Sequence, residues 1–379
     1  MKKNIPLARP DITAHERKKV LDVLRTSSLA LGPKLEEFEN KFVRYIGCKH
    51  AVAVNSGTSA LHLIVRALGL KDGDEVITTP FSFIASANCV LFERARPVFV
   101  DIEPDTLNID PFKIAAAVTR RTKAILAVDV FGHPADWDAL RTIARKHRLL
   151  LIEDSCEALG SEYKGKKAGR FGVAGAFAFY PNKQITTGEG GMIVTDDKKL
   201  AAACRSMRNQ GRGGDQKWLE HVRLGFNYRI SDINCALGIA QMGRIDILIK
   251  KREEVRRLYQ NAFKDVEEIE LPQSRKDVKT SWFVYVVRLK PGFSLGRRDQ
   301  ILSGLRKKNI ACSNYFPPIH LQPLYRKSFG YRSGDFPVTE DISRRVIALP
   351  FYNQLTPKDI RYIMNSLKTV IQKIKRSQL

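Results

Sequence analysis

The chain is poor in the features that mark a secreted, membrane-bound or metal-stapled protein. It has six cysteines in 379 residues: Cys48, Cys89, Cys156, Cys204, Cys235 and Cys312. None form a C-x-x-C pair, and none sit beside histidines at zinc-ligand spacing. Neither a disulfide framework nor a metal site is therefore expected. No apolar run approaches the length of a bilayer-spanning helix. Met1-Lys2-Lys3-Asn4-Ile5-Pro6 lacks the apolar stretch of a signal peptide. The expectation is a soluble, cytoplasmic protein that does not engage a membrane. Internal repeats and low-complexity tracts are also missing.

Negative charge is scarce. Lys and Arg number 64 against 40 Asp and Glu, a net charge of +24. The excess is denser over residues 246–379, at +14, than over residues 1–245, at +10. Lys373-x-Lys375-Arg376 could serve a nucleic acid, but no nucleic-acid-binding motif accompanies it. Attraction of an anionic small substrate, such as a nucleoside diphosphate, explains the sign equally well. A solvated basic surface explains it with no partner at all.

Core-forming residues are present in ordinary amount, with 44% apolar and 27% charged. The length suits one large domain plus a smaller one. From residue 50, short apolar runs alternate with helical periodicity. Strands are expected at 50–55, 75–79, 97–101, 124–128 and 149–153, with helices at 59–68, 86–92, 111–118 and 137–147. That alternation predicts a mostly parallel sheet covered by helices. Runs at 175–179 and 191–195 have no helix between them, so one of them is expected to be antiparallel. A helix is expected at 200–208. The character changes near residue 240, where a long charged helix at 245–263 begins. Beyond it a strand at 282–289 and helices at 298–308 and 357–374 are expected. The division is placed between a large domain, 1–245, whose N-terminal segment could pack on the other, and a small C-terminal α+β domain, 246–379.

In open α/β sheets, ligands sit beyond the carboxyl ends of the strands, so the residues following each strand carry the functional reading. After the first comes Ser56-Gly57-Thr58-Ser59. A Gly-Thr-Ser turn opening a helix offers free N–H groups and the positive end of the dipole to a phosphate. It is equally an ordinary helix cap, and no Gly-Lys-Ser/Thr makes it a P-loop. Phe83 follows the next strand, where an aromatic can stack on a flat ligand or serve the core. Glu153-Asp154 ends an apolar strand, and a carboxylate there must be solvated, paired or functional. Glu157 lies three residues on. Finally, Asn182-Lys183 follows an apolar run and precedes Thr187-Gly188-Glu189-Gly190-Gly191, a setting that suits a Schiff-base lysine.

Taken together, these segments resemble the DegT/StrS-type sugar aminotransferases, as do Arg208-Asn209-Gln210-Gly211-Arg212, 225–232 and Pro318-Ile319-His320-Leu321-Gln322-Pro323. The resemblance spans roughly residues 5 to 370. It implies the aspartate-aminotransferase fold, PLP (pyridoxal 5'-phosphate) fold type I, with pyridoxamine 5'-phosphate (PMP) formed during turnover. Lys183 is then the Schiff-base residue, and Asp154 pairs with the pyridine nitrogen. Glu157 stands beside the ring hydroxyl, where the family usually has Gln, and Phe83 stacks on the ring. Thr58, with the backbone of Gly57 and Ser59, holds the phosphate. Asn227 reaches the phosphate of a neighbouring subunit, which implies a homodimer with shared active sites. Tyr315 and His320 fall on the sugar-nucleotide side. Two positions depart from the pattern: Ala178 stands where many members have a phosphate-binding Ser, and Tyr180 where some have His.

The implied reaction moves an amino group from L-glutamate to a nucleoside-diphosphate keto-sugar, a 4-keto-6-deoxy sugar by resemblance, in amino-sugar or polysaccharide biosynthesis. A related branch replaces the lysine by His and dehydrates the sugar; Lys183 favours transamination. A non-catalytic regulatory or nucleic-acid-binding relative is the alternative from another class.

Overall fold

The computed structural model describes residues 4–213 and 220–376. Seven strands form the main sheet: β1 (His50–Val54), β2 (Glu75–Thr78), β3 (Arg96–Phe99), β4 (Thr122–Val128), β5 (Leu150–Asp154), β6 (Ala174–Ala178) and β7 (Gly191–Thr195). Their spatial order is β1-β7-β6-β5-β4-β2-β3. Pairs β2/β3, β2/β4, β4/β5 and β5/β6 are parallel. Strand β7 runs against both β6 and β1, so it is the reversed member of the expected pair. The central strands are buried on both faces, which is why they read as continuous apolar runs rather than as alternation.

The register places the site. Asp154 pairs with Val128 on one side and Ala176 on the other, at the carboxyl end of the sheet. Side chains alternate across a strand, so the acidic pair splits. Glu153 turns into the core, where it accepts from the Ser155 hydroxyl at 2.8 Å, the Phe171 N–H at 2.8 Å and the Gly169 N–H. Asp154 turns to the opposite face.

Five helices are not legible in the sequence pattern: Ala14–Leu24, Pro33–Ile46, Asp232–Met242, Pro323–Phe329 and Pro337–Arg345. Pro33–Ile46 buries Phe38 and Phe42 edge-on against Phe179, with ring centroids 5.5 and 5.7 Å away. Each buried Phe contributes about 1.5–3 kcal/mol. These contacts fix Phe179, the residue just beyond β6, at the start of the segment that carries Lys183.

The second sheet holds β8 (Ile269–Glu270), β9 (Tyr285–Leu289) and β10 (Val346–Leu349), in the antiparallel order β8-β9-β10. Helices Leu295–Arg306 and Pro357–Arg376 cover it. Ile5 joins this part, since its N–H donates to Asn309 O and its carbonyl accepts from the Ala311 N–H, both at 2.9 Å. Helix Ile245–Phe263 begins in one core and ends in another: Ile245 and Leu248 pack with Phe38 and Phe179, whereas Val255, Tyr259 and Phe263 pack with Tyr285. The strand expected from 282 begins only at Tyr285, because Trp282 takes a left-handed φ of 46° that breaks the extended run. Among the described residues, no helix is long and apolar enough to cross a membrane. No group of three or more His, Cys, Asp or Glu among them is placed to hold a metal ion.

Candidate active site

A cavity of about 720 Å³ opens at the carboxyl end of the sheet. Gly57, Thr58, Phe83, Asp154, Glu157, Lys183 and Tyr315 all line it. Segments distant in sequence and expected to act together therefore converge on one space.

The floor is the start of helix Gly57–Ala67. Ser56 caps it, its hydroxyl accepting from the Ser59 N–H at 3.1 Å. The Ser59 hydroxyl donates to Asn55 Oδ1 at 2.6 Å. Both groups of Ser59 are thus engaged within the turn and the residue does not line the cavity. This corrects the expectation that its backbone faces the ligand. Gly57 and Thr58 do line the cavity, at the first two positions of the helix, where N–H groups have no intrahelical acceptor. Gly57 is required by space: a Cβ there would lie 2.7 Å from Ala178 Cβ and 3.0 Å from Cys156 Sγ. Gly57→Ala is expected to shift the helix start and weaken cofactor binding about 10- to 100-fold. Titration of the apoprotein, followed by cofactor absorbance, measures this directly.

Asp154 is nearly buried, at 4% exposure. Its Oδ2 accepts from the Ser86 hydroxyl at 2.7 Å and its Oδ1 from the Cys156 N–H at 3.1 Å. Ser86 in turn lies 2.8 Å from the Ser82 hydroxyl. Both hydroxyl-bearing residues line the cavity and were not found by sequence reading; their four-residue spacing beside Phe83 is the signal that was there. Phe83 is 60% exposed, an aromatic face left open at the cavity edge.

Lys183 sits in a turn closed by its own N–H donating to Tyr180 O at 2.9 Å. The glycine-rich loop behind it is pinned by Asn234, whose side-chain amide donates to Thr187 O at 2.6 Å. Lys183 Nζ lies 3.7 Å from Glu157 Oε1 and 3.9 Å from the Phe283 ring centroid. Glu157 Oε2 accepts from the Phe131 N–H at 2.8 Å. Burial pushes the Glu157 carboxyl above its ordinary range, and the Lys183 ammonium works against that shift. Phe283, Ser313 and Asn314 line the wall contributed by the C-terminal part, next to Tyr315. Burial raises the Tyr315 hydroxyl.

Besides Ser59, two expected residues are not brought to this cavity. The Pro318–Leu321 stretch forms a short 3-10 turn that directs His320 inward. Its imidazole is fully buried, 3.2 Å from Glu340 Oε1 and packed edge-on against Phe336. Burial lowers its pKa, and Glu340 opposes this. A substrate contact is thereby replaced by a structural one: Glu340 gathers the Ser333 hydroxyl and Gly334 N–H, each at 2.7 Å. Asn227 is exposed and away from this chain's own cavity, its carbonyl accepting from the Asn55 side-chain amide at 3.4 Å.

The residues present suit PLP. The helix start offers donors for a phosphate, Asp154 provides an acceptor for a ring N–H, and Lys183 brings a primary amine to the same cavity. Gly57 lets the helix start pack directly against Ala178 and Cys156, where a Cβ would clash. Such an architecture defines a PLP-dependent transaminase of fold type I. The chain belongs to the DegT/DnrJ/EryC1/StrS aminotransferase family, whose model matches residues 10–368. It is 38% identical over 369 residues to GDP-perosamine synthase of Caulobacter vibrioides, covering 97% of this chain and 98% of that protein. Among solved structures, it is similar to Helicobacter pylori PseC, an aminotransferase involved in the biosynthesis of pseudoaminic acid. That similarity has a TM-score of 0.93 at 32% identity and covers 98% of this chain and 100% of PseC. The PMP form of the putative sugar aminotransferase Spr1654 from Streptococcus pneumoniae gives 0.94 at 30% identity, with the same coverage.

Proposed function

We propose that this chain transfers an amino group from L-glutamate to the keto group of a nucleoside-diphosphate sugar, a 4-keto-6-deoxy sugar in our reading, for amino-sugar or polysaccharide synthesis. The observation that carries it is the convergence of Lys183, Asp154 and the open helix start at Gly57–Thr58 on one cavity with a polar outer wall of Ser313, Asn314 and Tyr315.

Bound PLP supplies an electron sink for the charge left when a proton departs the donor α-carbon. Asp154, held by Ser86 and the Cys156 N–H, keeps the ring nitrogen protonated and so maintains that sink. Lys183 anchors the cofactor at rest. With its Nζ free, Lys183 would take the donor α-proton as general base and return it as general acid. Glu157, raised by burial, stands beside the ring hydroxyl and can share a proton with it. Phe83 covers the ring face. Thr58 and the Gly57 N–H orient the phosphate. Asn227 of the partner subunit completes that cradle in a homodimer. The segment before Asn227 leaves Val222 and Leu224 exposed at 53% and 68%, apolar surface that a partner would cover. Tyr315 contacts the sugar nucleotide. Glutamate and the sugar use the site in turn, which gives ping-pong kinetics.

The test is transfer from ¹⁵N-labelled L-glutamate to a panel of nucleoside-diphosphate keto-sugars. The expected product is a ¹⁵N-amino sugar formed with one equivalent of 2-oxoglutarate. A sugar that loses a hydroxyl and gains no label would overturn the reading in favour of dehydration.

A further inference from the structure

Arg252, on helix Ile245–Phe263, is 5% exposed. Among the described residues, no carboxylate pairs with it; backbone carbonyls surround it instead. Its Nη1 donates to Trp282 O at 3.3 Å and Phe283 O at 3.2 Å. Its Nη2 donates to Asn182 O at 3.4 Å and Lys183 O at 2.6 Å. Burial pulls the guanidinium down to about 10, which leaves it charged at neutral pH. Asp11 attracts it only through space, without a direct ion pair, and a buried cation lacking a paired carboxylate is costly, so its position calls for a function.

The four carbonyls belong to two segments, the turn after β6 and the approach to β9. Those segments meet again at their side chains, where Lys183 Nζ lies 3.9 Å from the Phe283 ring centroid. The contacts close a circuit: guanidinium, Lys183 backbone, Lys183 side chain, Phe283 ring, Phe283 backbone, guanidinium. We infer that Arg252 is a positioning residue that fixes the Lys183 turn against the Phe283 ring and thereby sets the place of the reactive Nζ. This rests on Lys183 being the cofactor-bearing residue. A planar fork can hold two pairs of carbonyls at once, whereas the point-like ammonium of lysine cannot.

The test compares PLP-loaded wild type, Arg252→Lys and Arg298→Lys. Arg298 is a control, a buried arginine that donates to Ser343 O at 2.9 Å and Val346 O at 3.4 Å, away from the cavity. Borohydride reduction and peptide mass mapping first locate the cofactor. Arg252→Lys is expected to keep the label on Lys183, lose at least about half of the visible circular dichroism of the bound cofactor, and shift the pH midpoint of its absorption band. Its glutamate half-reaction slows about 10- to 100-fold at nearly unchanged KM. Arg298→Lys is expected to lower the melting temperature without moving these readouts. Should Arg252→Lys fail to fold, Phe283→Leu opens the same circuit with the guanidinium contacts intact and is expected to give the same spectral change. Wild-type dichroism and rate in Arg252→Lys, or in Phe283→Leu where that variant stands in, or equal changes in Arg298→Lys, would overturn the inference alone. A wild type labelled elsewhere than Lys183 would overturn the reading beneath it.

Discussion

Lys183→Ala is expected to lower kcat by about 10³- to 10⁴-fold, the scale of a lost general acid–base group that also anchors the cofactor. Lys183→Arg is expected to do the same, because a guanidinium holds its protons too tightly to shuttle one. The fold should survive both changes. In Lys183→Ala the Glu157 carboxyl loses its neighbouring cation at 3.7 Å. Burial already raises that carboxyl, and losing the cation raises it further, which eases its protonation and limits the cost of the lost pair. The expected outcome is an inactive variant that melts within a few degrees of wild type, read by stopped-flow half-reaction and calorimetry side by side. A variant retaining a tenth of wild-type turnover would remove Lys183 from the mechanism.

Asp154→Asn is expected to cost about 10²- to 10³-fold in the glutamate half-reaction, comparable to losing one preorganised electrostatic group. An amide cannot hold a proton on the ring nitrogen as a carboxylate does. The site stays assembled, because the Asn oxygen can still accept from the Cys156 N–H, and the Ser86 hydroxyl can rotate to accept from the amide. Cofactor therefore remains bound through Lys183 and the Gly57–Thr58 turn. The separation of the two variants is the informative part: Asp154→Asn keeps a coloured protein that reacts slowly, and Lys183→Ala does not form the lysine linkage at all. Absorbance and single-turnover rates on both proteins check this.

The strands of the main sheet were legible because each is short, apolar and bounded by turn residues. The strand-end positions of Gly57, Asp154 and Lys183 followed from that reading. Alternation alone separates the Glu153–Asp154 pair without saying which face is the core; only the resemblance pointed to Asp154 as the member at the cavity. The core face is decided by the Gly169–Phe171 segment, whose N–H groups receive Glu153. Ser86, Phe283 and Arg252 escaped because their importance lies in long-range contacts: Ser86 meets Asp154, and Arg252 meets Lys183, only once the sheet is assembled. His320 misled because its motif marks a turn, and the side chain's direction depends on Glu340 and Phe336 in the packed structure. Ser59 misled because its N–H and hydroxyl are consumed by the cap that the same sequence encodes.

The most direct test of amine transfer is the visible spectrum of the PLP-loaded protein before and after L-glutamate. A yellow lysine-dependent band that fades on addition is expected, with one 2-oxoglutarate released per bound cofactor. A band that persists unchanged, with no 2-oxoglutarate formed, would contradict it.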